Sequence, residues 1–213
     1  ARFTGPKQVT VGDEHYTADH IVLAAGSTVK ELPHLKVDGT DIWSSDHALF
    51  CEALPKSIAI VGAGAIGVEF AYIFSVFGVE VHLIEALDRL VPLEDGEISR
   101  ELLKEFRKRK IKCYPGTCVE KVEKTAEGML VTLSGGKSVT VEKILSAIGR
   151  RPNSAPLDLA ATGLESDPRG FIPVNEHYET AVPGLYAIGD LIATPMLAHT
   201  AEHEGIHVVE HIA

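Results

Sequence analysis

Cysteine is scarce in this sequence: Cys51, Cys113 and Cys118 are the only three in 213 residues. So few exclude a secreted, disulfide-stapled scaffold and point to a reducing, cytoplasmic-type compartment. Positive charge is also short. Lys and Arg number 20 against 30 Asp and Glu, for a formal net charge of −10. That balance argues against nucleic acid or an anionic membrane as the main partner. Long apolar runs are lacking: none approaches the ~18 residues of a spanning helix, and no secretory signal pattern is visible. An initiator Met is missing as well. The chain opens Ala1-Arg2-Phe3-Thr4-Gly5, as a fragment of a longer protein would. What is present is core-forming material. Hydrophobic residues make up 45% of the composition, enough at this length for one large or two modest domains.

The most informative stretch is Gly62-Ala63-Gly64-Ala65-Ile66-Gly67. It follows the apolar run Ser57-Ile58-Ala59-Ile60-Val61, which reads as a buried parallel strand, and it opens a helix predicted from Ile66 to about Phe77. A second apolar run, Val79-Glu80-Val81-His82-Leu83-Ile84, ends in an acid, Glu85. A lone GxGxxG is weak, but strand, glycines, helix, strand and terminal acid in that order form a dinucleotide fingerprint. Glycines let the backbone turn tightly and approach a pyrophosphate seated on helix N-terminal amides. The acid is placed to accept hydrogen bonds from a ribose diol.

Around this unit the chain reads as follows. Residues 1–33 form a β segment, with 8–11 pairing with 16–17 across Gly12-Asp13, and a strand at 20–25 stopped by Gly26-Ser27. Residues 34–54 read as a crossover linker with one short helix near 46–51. From Asp95 to Arg109, apolar Ile98, Leu102, Leu103 and Phe106 recur at helical spacing, with Asp95 as N-cap and Glu97 in the first turn. The basic run Arg107-Lys108-Arg109-Lys110 complements that helix C-terminus. Strands at 117–123, 129–133 and 138–141 suggest an antiparallel meander, followed by a buried strand at 143–148 that closes at Gly149. Short strands are predicted at 171–174 and 185–188, and a final helix from about Leu197.

Five stretches together carry a family resemblance: Leu23-Ala24-Ala25-Gly26-Ser27, residues 62–69, Ala147-Ile148-Gly149-Arg150-Arg151-Pro152-Asn153, Tyr186-Ala187-Ile188-Gly189-Asp190 and Pro195-Met196-Leu197-Ala198-His199. Over essentially its whole length the chain resembles the middle of a flavin- and nicotinamide-dependent disulfide oxidoreductase, most closely the dihydrolipoamide dehydrogenase branch. The resemblance implies an α/β fold with a Rossmann-type, three-layer nicotinamide-binding domain at 55–150. That domain would be inserted in an incomplete FAD-binding domain made of 1–33 and 151–213, with 34–54 as linker. It implies NAD contacts from Gly62, Ala63, Gly64, Ala65, Ile66, Gly67 and Glu85. Glu69 would lie toward the nicotinamide, with Val119 and Gly149 flanking the adenosine. It implies FAD contacts from Ala25, Gly26 and Ser27 near the adenosine, Gly5 near the adenine, and Asp190 on the ribityl hydroxyls. Met196, Leu197, Ala198 and His199 would line the isoalloxazine. The parent activity implied is NAD-dependent oxidation of a carrier-borne dihydrolipoyl thiol pair through FAD and a protein disulfide, in a homo-oligomer.

Departures limit what transfers. Ala25 stands where the family usually has Thr, and Thr200 where Lys is common. In the family, the redox cysteine pair and the FAD pyrophosphate glycines would precede residue 1. Its dimerisation domain, with a catalytic His and Glu, would follow residue 213. No catalytic residue is therefore assigned, and this chain alone is not expected to turn over thiols. The alternatives are a non-catalytic NAD(H)-binding module and another disulfide reductase of the same superfamily.

Two further motifs read as coincidental. Cys113-Tyr114-Pro115-Gly116-Thr117-Cys118 has the spacing of the family's redox pair but the wrong flanks. His199, His203, His207 and His211 recur every four residues, and 203–207 fits H-E-x-x-H. Gly205 interrupts that motif and no third ligand can be identified from sequence, so no metal is assigned, the alternative being adventitious binding of a transition metal by a surface His pair.

Overall fold

The computed structural model describes all 213 residues, which divide into two units: Ala1–Thr28 with Arg150–Ala213, and Val29–Gly149. The chain opens with β1 (Arg2–Gly5), β2 (Gln8–Val11) and β3 (Glu14–Thr17), an antiparallel sheet in that order. Gln8 to Val11 pair with Thr17 to Glu14 across a turn in which Gly12 has φ +60°. β4 (Ile21–Leu23) and β5 (Ser27–Val29) follow.

The second unit is built on a five-stranded parallel sheet. Its strands are β6 (Ile42–Trp43), β7 (Ser57–Val61), β8 (Glu80–Ile84), β9 (Lys112–Tyr114) and, further along the chain, Lys143–Ser146. Between the last two lies an antiparallel meander of β10 (Val119–Thr125), β11 (Gly128–Leu133) and β12 (Lys137–Val141), so Lys143–Ser146 is β13. The sheet order is β6-β13-β7-β8-β9. β7 sends its crossover to β8 on one side and neighbours β13 on the other, which is a topological switch point. The helices of this unit are α1 (Ser45–Leu49), α2 (Ala65–Val76) and α3 (Gly96–Lys108).

Strand alternation divides this core in two. Ile58, Ile60, Val81 and Leu83 pack with Ala71 and Phe74 of α2 and Phe106 of α3. Ala59, Val61, Ile84 and Ile144 face the other way, onto Val119, Met129, Val131, Leu133 and Val141 of the meander. Successive side chains point to opposite faces, so a strand apolar throughout is buried on both sides. Helices, sheet and meander are the three layers. α3 begins where expected: the Asp95 side chain accepts the Glu97 N–H at 2.7 Å.

Several elements differ from the sequence reading, β9 among them. Residues 34–54 are more than a linker, because Ile42 and Trp43 pair in parallel with Ile144 and Leu145 as an edge strand. Two residues are too short a run for periodicity to flag. Residues 171–174 form no strand. Pro173 has no N–H to donate, and the Phe171 and Ile172 amides are taken by the Asp167 carboxylate and the Leu191 carbonyl. Conversely Arg150–Pro152, read as loop, is β14 and pairs with β5.

Beyond β14 the first unit resumes with β15 (Leu185–Ala187), a 3₁₀ turn at Gly189–Leu191 and the terminal helix α4 (Ala198–Ile212). β15 pairs in parallel with β4, Leu185 opposite Ile21 and Ala187 opposite Leu23. Phe3, Leu23, Leu159, Ile172, Leu185 and Leu191 form its core. Tyr186 and Ile188 pack under Val208 of α4 in a smaller cluster.

Candidate functional site

In the second unit the predicted residues gather at the carboxyl ends of β7, β8, β9 and β13. Gly62 leaves β7 with φ +100°, and its N–H donates to the Ile84 carbonyl at 2.8 Å. Ala147 leaves β13 and donates to the Val61 carbonyl at 2.8 Å. Glu85 leaves β8, and its N–H donates to the Tyr114 carbonyl at 3.1 Å. This is the end of an open α/β sheet at which ligands bind.

The three fingerprint glycines are required for different reasons. A Cβ on Gly62 would lie 2.3 Å from the Ala147 carbonyl oxygen, and one on Gly67 would lie 1.9 Å from that of Gly62. Both are excluded by backbone, so the protein itself requires glycine there. A Cβ on Gly64 would meet nothing within 4 Å. Gly64 is the N-cap of α2, with φ −73°, a conformation open to any residue. The protein does not require glycine at 64, whereas a group lying close over the helix N-terminus would. Ala63 is buried and donates to Glu85 Oε2 at 2.6 Å, Ala65 and Ile66 open α2, and Glu69 is exposed on it.

Glu85 is 8% exposed, and its carboxylate is already engaged. Oε2 accepts from Ala63 N–H and Oε1 from Leu87 N–H at 2.9 Å. The acid therefore ties the glycine loop to the end of β8. Val119 is buried in the core between sheet and meander. Gly149 is exposed with φ +110°, and its carbonyl accepts Lys30 N–H at 3.0 Å.

In the first unit a second set converges on Asp190, at the end of β15. Its carboxylate accepts the Ser27 hydroxyl. Ser27 Oγ in turn accepts Arg150 Nε–H at 2.7 Å, while Arg150 Nη2 donates to the Ser27 carbonyl at 2.8 Å. Ser27 and Asp190, 163 positions apart, are thus one unit. Gly26 has φ +67°, its carbonyl accepts Asn153 N–H at 2.9 Å, and Asn153 Nδ2 reaches the Ala25 carbonyl at 3.4 Å. Met196, Leu197, Ala198 and His199 form the entry to α4, with Leu197 as N-cap and its side chain exposed. Gly5 sits on the rim of a separate cavity of about 590 Å³ with Lys7, Gln8, Thr17 and Asp19.

Two residues escaped sequence reasoning. Arg150 lies inside one of the five motifs, yet its role as the clamp on Ser27 depends on a long-range contact. Glu204 is 2% exposed on α4, and its Oε2 accepts Gly189 N–H at 2.6 Å, holding the turn that carries Asp190. One buried acid on a helix otherwise reads as solvated surface, and only the fold reveals its partner. All three cysteines are free, and burial pushes the Cys113 thiol up to about 11.

Comparison with known proteins places the chain in a family. The family model described as pyridine nucleotide-disulphide oxidoreductase matches residues 1–205. A dihydrolipoyl dehydrogenase from Rhizobium etli is 42% identical over 98% of this chain and 44% of its own length. Another, from Thermus scotoductus, is 40% identical over all of this chain and 47% of its own length. The crystal structure of LpdA from Mycobacterium tuberculosis superposes with a TM-score of 0.89 at 28% identity, covering 96% of this chain and 45% of that one. The chain thus spans about half the length of the curated relatives it matches.

Proposed function

We propose, from the premise that this chain belongs to the pyridine nucleotide-disulphide oxidoreductase family, that it is the nicotinamide-binding and part of the flavin-binding portion of a dihydrolipoyl dehydrogenase-type enzyme. The observation that carries the nicotinamide half is Gly64, a glycine the protein's own packing does not need. The amides that open α2 would take the NAD pyrophosphate over it, and Glu85 would take the adenosine ribose diol. To do so Glu85 need give up only one of its two backbone amides, since a carboxylate has several acceptor sites. Ala147 to Gly149 and the exposed Glu69 border the same end of the sheet.

For the flavin half, the support is the Arg150–Ser27–Asp190 chain at the end of β15 and the entry of α4. Asp190 would accept ribityl hydroxyls, held in place by Ser27 and, through Gly189, by Glu204. The first amides of α4 would face the electron-rich isoalloxazine. Bound together, the two cofactors would supply hydride transfer between flavin and nicotinamide, for electrons that a dihydrolipoyl thiol pair delivers through a disulfide. The residues of these two sets bind and orient; none supplies the thiolate pair or the base that a thiol–disulfide relay needs.

A second, narrower reading for the chain by itself is an NAD(H)-binding module without turnover, favoured by the three cysteines all lying in Val29–Gly149 and none in the unit that holds Asp190. NADH titration of two proteins, the parent chain and Gly64→Ala, tests the common part. Gly64→Ala should keep the fold and weaken NADH at least about tenfold, or roughly 1.4 kcal/mol. Equal NADH affinity in Gly64→Ala and the parent would remove the main support for the reading. A flavin spectrum in the purified chain separates the broader reading from the narrower one.

A further inference from the structure

The histidine stripe of α4 has no evident third ligand in sequence, but the fold brings one. His207 and His211, one helical turn apart, project from the same face of α4. His177, from the loop before β15, lies against both. Its ring centroid is 4.2 Å from that of His211 with the planes 7° apart, and 5.8 Å from that of His207 at 15°. Two tyrosines bound the group edge-on: Tyr178 stands 5.5 Å from His207, and Tyr186 stands 6.4 Å from His211. His177 Nδ1 is buried without a hydrogen-bond partner, and its Nε2 lies 3.7 Å from the Glu176 carboxylate. His207 and His211 are exposed. His203, on the same helix, takes no part in these ring contacts.

We propose that His177, His207 and His211 form a binding site for a divalent transition cation of borderline softness, such as Zn²⁺ or Cu²⁺, with Glu176 beside it. Imidazole nitrogens are the preferred neutral donors for these ions, and an i, i+4 pair on a helix presents two of them together. The third imidazole distinguishes this group from an ordinary surface pair. As the rings stand they stack, and no three His, Cys, Asp or Glu side chains are arranged to hold a metal ion, so occupancy requires them to turn about their side-chain bonds. Exposure of His207 and His211 leaves room for that rotation. The imidazoles border Tyr178 and Tyr186 of the small cluster under α4.

The test uses the full 213-residue chain without an affinity tag, dialysed against a chelator. Zn²⁺ is titrated by calorimetry, and Cu²⁺ is followed by electron paramagnetic resonance for nitrogen coupling. One cation per chain is expected. His177→Ala, His207→Ala and His211→Ala should each weaken it at least about tenfold, and His203→Ala less than about twofold. Circular dichroism confirms that the variants fold, and His177→Gln repeats the test should the alanine disturb its loop. Absence of stoichiometric binding overturns the proposal. So does full binding without the His177 imidazole, which would leave only a helix pair, or an equal loss in His203→Ala, which would mean diffuse chelation along the stripe.

Discussion

Gly64 and Gly67 lie three positions apart in one motif, yet an added methyl would have opposite consequences. At Gly67 it would strike the Gly62 carbonyl at 1.9 Å. Backbone cannot yield there, so Gly67→Ala should cost about 3 kcal/mol or more in chemical denaturation. Gly64→Ala should cost less than about 1 kcal/mol, because alanine is merely a poorer N-cap. In the proposed reading Glu85 would set cofactor preference at the same scale. A carboxylate repels a 2′-phosphate and no Arg occupies 86–88. NAD(H) should therefore be preferred over NADP(H) by at least about tenfold; calorimetry showing equal affinities would refute the assignment. Among the thiols, Cys113 has its value raised to about 11 by burial, while Cys118 is exposed. The thiolate is the reactive form, so maleimide at neutral pH should modify Cys118 first and Cys113 far more slowly, as peptide mass mapping would show.

The parallel sheet carries a polar contact between β8 and β9 among its apolar rows. His82 on β8 stacks on Tyr114 of β9, with ring centroids 5.9 Å apart, and its Nδ1 lies 3.1 Å from the tyrosine hydroxyl. Burial pulls the imidazole below its ordinary value of 6.5, only partly offset by Glu80. A depressed value means that the folded state binds this proton less readily than the unfolded chain. Stability should therefore be unaffected by this group above about pH 6.5 and decline as pH falls below it, until the folded imidazole is itself protonated. Denaturation midpoints measured from about pH 7.5 down to about pH 5 would show the decline, and His82→Asn should flatten it. A slope unchanged by that substitution would assign the effect elsewhere. In α3, by contrast, the exposed pairs Lys104–Glu101 and Lys108–Glu105 contribute little. The cap matters more, and Asp95→Ala should cost about 1 kcal/mol.

At the scale of the molecule, the decisive fact is where the chemistry-bearing groups fall. Cys51, Cys113 and Cys118 all belong to the unit that carries the glycine fingerprint, Val29–Gly149. None belongs to the unit that holds Asp190. Assay of the purified chain with dihydrolipoamide, NAD and added FAD should give no turnover while NADH still binds. Turnover that persists in the Cys113→Ser, Cys118→Ser double variant would defeat the argument. The β4–β15 pair is a two-stranded parallel sheet. Residues 178–180 cover the outer edge of β15 through the Ala187 and Thr180 amides, which leaves β4 as the open edge. Open strand edges recruit other chains, so sedimentation should show association that grows with concentration.

The sequence by itself determined the glycine fingerprint, the two-sided core of the parallel sheet, the capped helix α3 and the meander. Each of these is written in local periodicity and turn chemistry, over spans of about ten residues. It also carried the family, because five motifs stand in order along one chain. Tertiary structure alone decided the rest. Ser27 meets Arg150 and Asp190 only because β5, β14 and β15 come together from distant parts of the chain. Glu204 has a partner only because α4 packs on Gly189. His177 joins the α4 stripe only because the loop before β15 folds against that helix. Such pairings cost loop closure rather than local propensity, and no period in the sequence records them.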